Sequence, residues 1–79
     1  MTRKIDLQVD ARGLKCPLPV LRAGKVLRGQ STGTVIEVLA DDPMAQVDMP
    51  HFCAEAGHLL LSMDDQGDHH RFLIERGTK

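Results

Sequence analysis

Aromatic residues are nearly missing from this chain: Phe52 and Phe72 are the two it has, with no tryptophan and no tyrosine. Proteins that grip single-stranded nucleic acid stack bases on aromatic rings, so direct nucleic-acid binding is not expected. No apolar run approaches the roughly 20 residues of a membrane-spanning helix. The first ten residues, MTRKIDLQVD, lack the apolar core of a secretory signal. The chain therefore reads as soluble and cytoplasmic.

Cysteine is scarce as well. Cys16 and Cys53 lie far apart and form no CxxC. So few thiols in a reducing compartment do not make a disulfide framework. Structural zinc takes about four ligands at recognisable spacing, and His51, His58, His69 and His70 form no such pattern with the cysteines. Neither a metal nor a cofactor is expected.

Basic residues are missing from one half. Residues 31–70 contain no lysine or arginine but eight acids: Glu37, Asp41, Asp42, Asp48, Glu55, Asp64, Asp65 and Asp68. Residues 1–30 carry Arg3, Lys4, Arg12, Lys15, Arg22, Lys25 and Arg28 against Asp6 and Asp10, a local balance of +5. The basic part surrounds Cys16. Such asymmetry can steer an acidic partner or raise the thiolate fraction of a nearby sulfur, although a solvated helix face accounts for much of it.

The 79 residues suffice for one small domain, residues 1–79, with one thin core. IDLQV alternates, with Ile5, Leu7 and Val9 on one side and Asp6 and Gln8 on the other, as a half-buried strand does. PLPVLRAGKVLRG places Val20, Leu21, Gly24 and Leu27 at helical spacing, and Gly29 suits the stop. TVIEVLA is a second strand. DDP opens a second helix, with Asp42 as N-cap and Pro43 at the first helical position. Pro50 is expected to kink or divide this helix near Asp48, and Gly57 to end it. HLLLSM and HRFLIER read as strands joined by the turn DDQGD.

The order is βαβαββ. A strand–helix–strand unit implies parallel pairing and a right-handed crossover, and the last two strands form an antiparallel hairpin. Both helices are expected on one face of a four-stranded sheet, giving an α/β two-layer sandwich. By parity, Val35, Leu39, Leu60 and Leu73 fall on the open face, among Asp6, Gln8, Glu37, Ser62 and Glu75. That face is either a contact surface or a small sheet with scattered aliphatics.

The stretch DARGLKCPLPVLRAGK sets Cys16 against two prolines. If the helix starts at Pro17, then Cys16 is the N-cap and Pro19 stands at the third helical position, where proline costs little. The sulfur would lie near the Leu18 N–H and the positive end of the helix dipole. Lys15, Arg12 and Arg22 would add positive field. All of this favours thiolate. A free cysteine with pKa ~8.5 is only about 3% thiolate at pH 7, and lowering that value by about two makes it mostly thiolate.

Neither histidine of the second helix segment can be placed as a base for Cys16 from sequence. Proline stands where a redox partner cysteine would be. A single nucleophilic sulfur that accepts and donates a group remains, and sulfane sulfur carried as a persulfide fits it. The alternative for Cys16 is a small buried hydrophobe. Cys53, in HFCAEAGH, reads as a core thiol, with a resolving or regulatory role as its alternative.

DARGLKCPLP, residues 10–19, resembles the D-A-x-G-x-x-C-P-x-P motif of the TusA-type (SirA-like) sulfur carrier and sulfurtransferase family. ADDPMAQVDMPHFCAEAGH, residues 40–58, is similar to that family's A-D-D-P block and its proline-bearing helix. The resemblance implies a mixed sheet of strand order 1-2-4-3. It implies that Cys16 bears the persulfide, supported by Arg12, Gly13, Lys15, Pro17, Leu18, Pro19 and Arg22.

It also implies a sulfur-donor protein, either a pyridoxal-phosphate cysteine desulfurase or a rhodanese-like protein, and a downstream acceptor protein. Members closest to tRNA thiolation carry Glu between the prolines, where this chain has Leu18. Branches with an apolar residue there include members linked to sulfur oxidation and to cofactor sulfuration. Lack of an acid at that position should favour thiolate slightly. The competing functions are a non-catalytic interaction module using the open sheet face and a thiol redox module pairing Cys16 with Cys53.

Overall fold

The computed structural model describes residues 4–78. Met1, Thr2, Arg3 and Lys79 lie outside the described residues, and so do Arg3's contribution to the basic segment and the start of the stretch read for a signal. The elements run β1 (Leu7–Asp10), α1 (Leu18–Arg28), β2 (Val35–Ala40), α2 (Ala45–Ala56), β3 (Leu59–Asp65) and β4 (His70–Glu75). The sheet order is β1-β2-β4-β3, as expected. β1 and β2 pair in parallel, and the other two pairings are antiparallel. No helix among the described residues is long and apolar enough to cross a membrane.

One sheet face supplies Val9, Ile36, Val38, Ala40, Phe72 and Ile74 to the core. Ala23 and Leu27 of α1, and Ala45, Met49 and Cys53 of α2, complete the same cluster. Both helices therefore cover one face of the sheet. They approach closely at Gly24, where an added Cβ would stand 3.3 Å from the Phe52 ring. The strand alternation read from β2 holds: Ile36, Val38 and Ala40 are fully buried under the helices.

The other face is laced with polar groups. Gln8 donates to Glu37 at 2.6 Å, Arg71 donates to the second Glu37 oxygen, and Arg71 reaches Asp64 at 3.4 Å. This row crosses all four strands. Val35 and Leu39 lie on this face but are only 3% and 9% exposed. Each stands opposite a long charged side chain, Glu75 and Arg71 respectively, whose aliphatic stem can lie along it.

Leu60 does not belong to the open face. It pairs with Ile74 and packs against the core, because the β3–β4 register shifts between Leu60 and Ser62. One extra residue in a strand inverts the side-chain phase beyond it, and nothing in HLLLSM marks it. Of the four aliphatics assigned to the open face by parity, Val35, Leu39 and Leu73 lie there, and Val35 and Leu39 are nearly covered.

α2 begins later than expected. Met44, not Asp42, is its N-cap. Asp42 instead closes the preceding turn, where its side chain accepts the Met44 N–H at 3.0 Å and its carbonyl accepts the Ala45 N–H. Pro50 sits inside an unbroken helix. The carbonyl it leaves without a donor belongs to Gln46, an exposed residue that water can reach. Met49 and Cys53, both buried, hold the segment on the core on either side. Gly57 ends α2 with φ +80, a left-handed conformation that suits glycine.

Candidate functional site

Parallel pairing of β1 and β2 puts their C-terminal ends at the same sheet edge. The segment from Ala11 to Pro17 and the segment from Asp41 to Met44 leave from those ends and meet there. Asp41 accepts the Gly13 N–H with both oxygens at 3.0 Å. Asp42 accepts the Cys16 N–H at 2.6 Å with one oxygen and the Met44 N–H with the other. The two acids of DDP thus clamp the cysteine-bearing loop. Gly13 has φ +86, so a glycine suits the turn that Asp41 holds.

Cys16 is exposed and free, and Cys53 is free and buried. The Cys16 thiol donates to Asp48 Oδ2 at 2.7 Å. A groove of about 270 Å³ adjoins it, lined by Cys16, Pro17 and Val20 on one side and Asp48, His51, Phe52 and Glu55 on the other. His51 and Glu55 pair at 3.0 Å across one turn of α2. Among the described residues no group of three histidine, cysteine or acidic side chains is arranged to hold a metal ion.

Two expectations about Cys16 are overturned. It is not the N-cap of α1. Pro17 takes that place and Pro19 falls in the first turn. The Pro17 carbonyl accepts the Leu21 N–H at 3.1 Å, while the Leu18 N–H is already taken by the Lys15 carbonyl at 2.8 Å. The sulfur therefore receives no capping hydrogen bond from Leu18.

Nor is the sulfur's surrounding basic. The hydrogen bond to Asp48 raises the Cys16 thiol above its ordinary value. Desolvation and the charges of Asp48 and Asp42 push the same way. The cations close in sequence are turned elsewhere. Arg12 makes a two-pronged pair with Asp10 at 2.9 Å, and its hydrogen bonds to that carboxylate lower Asp10 to about 2. Arg22 lines a separate shallow groove with Leu14, Leu18, Leu21 and Lys25. The charge of Lys15 acts on Asp42, adding to the lowering of that carboxyl's pKa by the Met44 and Cys16 N–H groups.

Nothing local in the sequence marks Asp41 and Asp42 as holders of the Cys16 loop, or Asp48 as the partner of its thiol. The available signal was topological: a parallel first pair brings the residues after each strand to one edge.

Cys53 is a core thiol, as its helical position indicated. It is 2% exposed, and burial pushes it up to about 11. Such a sulfur is a poor nucleophile at neutral pH, and its burial opposes pairing with Cys16.

The Asp42 clamp carries a pH signature. Its carboxylate is held below the ordinary 3.8, first by the Met44 N–H and then by the Cys16 N–H. A depressed acid stabilises the fold above its unfolded value, and that contribution is lost as pH falls through the lower folded value. Asp42→Ala should lower the melting temperature at pH 7 and flatten the acid limb of stability below pH 3.8. Thermal melts of both proteins across that range check it, and parallel acid limbs would count against the clamp.

The family model for "Sulfurtransferase TusA" matches residues 7–76. The chain is 41% identical over 71 residues to the sulfur carrier protein TusA of Allochromatium vinosum, spanning 90% of this chain and 93% of that protein. The crystal structure of a SirA-like protein from Desulfitobacterium hafniense superposes with a TM-score of 0.79 at 26% identity, covering 91% of this chain and 99% of that one.

Proposed function

Since the chain belongs to the TusA sulfur carrier family, we propose that it is a single-domain carrier whose Cys16 takes up sulfane sulfur as a persulfide and passes it to an acceptor protein. The observation that carries this reading is the contrast between its two thiols. One is exposed at the rim of a groove, on a loop clamped by two carboxylates, and the other is sealed in the core.

The exchange balances without another reactant. The Cys16 sulfur attacks the terminal sulfur of a donor persulfide, forming one S–S bond as the donor's S–S bond breaks. The proton given up by the Cys16 thiol ends on the departing donor thiol. Cys16 is oxidised to the persulfide level as the donor is reduced to thiol. Delivery repeats the step, with the acceptor's thiolate as the attacking group.

Exposed apolar side chains at the starts of both helices suit contact with protein partners. Leu18 and Leu21 on α1, and Met44 and Val47 at the start of α2, are 47–63% exposed. Apolar groups gathered at one end mark a surface that others cover. The donor fits a cysteine desulfurase or a rhodanese-like protein. Acceptors in tRNA thiolation, sulfur oxidation or cofactor sulfuration are all compatible with this chemistry, and direct contact with nucleic acid is not part of the proposal.

Incubation with a pyridoxal-phosphate cysteine desulfurase and cysteine, or with a loaded rhodanese, tests it. Intact mass should rise by one sulfur, and peptide mapping should place that sulfur on Cys16. Loading on Cys53, or no loading from any donor of either class, would refute the assignment.

A further inference from the structure

A carboxylate at 2.7 Å from a nucleophilic sulfur is not the partner expected of a primed thiolate. Asp48 stands in the first turn of α2, half-buried, with its Oδ2 accepting the Cys16 thiol hydrogen. The other groups that face the sulfur do not offset it. From α2 come His51 and Glu55, held to each other across the groove wall. From the segment before α2 comes Asp42, a second carboxylate, on the Cys16 N–H. From the sulfur's own loop, Lys15 is adjacent in sequence but acts on Asp42, and Arg12 is bound to Asp10. α1 presents Pro17 and Val20, which are uncharged.

We infer that Asp48 guards Cys16: in the free carrier its carboxylate keeps the sulfur protonated and hydrogen-bonded, making it a slow nucleophile toward small electrophiles. The inference rests on Cys16 being the sulfur-carrying residue for its meaning, but not for its test. A hydrogen bond made by the neutral form disfavours ionisation, and a like charge beside the product anion disfavours it again. The raised pKa of Cys16, caused first by the hydrogen bond to Asp48, agrees with the geometry. A guarded thiol suits a carrier that meets many small oxidants and must react with few proteins, because attack requires thiolate.

The test is the pH dependence of iodoacetamide alkylation at Cys16, located by peptide mass, in the whole chain without any sulfur donor. Asp48→Asn removes the charge and keeps an oxygen that can accept the thiol hydrogen. Its midpoint should lie below that of the wild type. For each pH unit of that fall, the thiolate fraction at pH 7 rises about tenfold while intrinsic nucleophilicity falls about threefold. The net result is alkylation about threefold faster at pH 7 and a high-pH plateau about threefold lower.

Asp48→Glu, which restores a carboxylate, should return the midpoint toward the wild-type value. A purely structural role for Asp48 would not lower the midpoint while moving the rate at pH 7 and the high-pH plateau in opposite directions. Should the asparagine variant lose its far-UV circular dichroism, Asp48→Ala read the same way decides. A midpoint equal to wild type in a folded charge-removing variant overturns the guard. Failure of sulfur loading, measured separately, would bear on the carrier assignment and leave this result standing.

Discussion

Cys16→Ser should carry no sulfur after exposure to any donor that loads the wild type, and Cys53→Ser should load to the wild-type extent. A serine hydroxyl is a far weaker nucleophile toward sulfur than a thiol, and attack on a persulfide needs a sulfur anion. Nothing else in the chain can replace it. The second thiol is 2% exposed, and its ionisation is pushed up to about 11 by burial. The loss should therefore reach the detection limit of intact-mass measurement, not a partial reduction.

The serine variant should fold normally. Cys16 is exposed, and its backbone N–H, which serine retains, is what Asp42 holds. A normal melting temperature together with absent loading would separate chemistry from stability. Full loading of Cys16→Ser would remove Cys16 from the mechanism. The pairing of the two cysteines in a redox module makes a different forecast: a Cys16–Cys53 disulfide under oxidant, visible by non-reducing peptide mapping. The burial of Cys53 argues against it.

Phe72→Ala should strongly destabilise the protein. Phe72 is fully buried in β4, the strand between β2 and β3, with Val38 and Met63 as its cross-strand neighbours. Truncating a buried phenylalanine costs about 3–5 kcal/mol. A domain of this size has roughly 4–12 kcal/mol in total. Each kcal/mol moves the melting point by about 4–8 °C at this size, so a fall of more than about 12 °C is expected. A second readout follows from the same core cluster, because Phe72 and Cys53 belong to it. Opening that cluster should expose the Cys53 thiol to alkylation, which the wild type resists. A variant that melts within a few degrees of the parent would show that the core repacks around the missing ring.

Local pattern carried most of the architecture. Alternation in IDLQV and TVIEVLA, the 3.6-residue rhythm after Pro19, and the glycine stops located all six elements to within a few residues. Strand order 1-2-4-3 came with the family resemblance, and the sheet has it. Failures occurred where a property depends on one hydrogen bond or one inserted residue. The N-cap moved from Cys16 to Pro17 because the Pro17 carbonyl takes the first helical bond. The bulge between Leu60 and Ser62 turned Leu60 inward, since side-chain phase in a strand inverts with a single extra residue.

By itself the sequence determined the element order, the burial of Cys53 and the choice of Cys16 as the chemically distinctive thiol. These are properties of short windows, in which periodicity and proline or glycine placement act locally. Only the tertiary structure decided the electrostatic setting of that thiol. Seven cations crowd the first thirty residues, yet the carboxylates of Asp42 and Asp48 are what reach Cys16. Coulombic and hydrogen-bonding effects follow distance in space. A parallel strand pair brings residues some thirty positions apart to one edge, while Arg12, two residues from Asp10, turns away to pair with it.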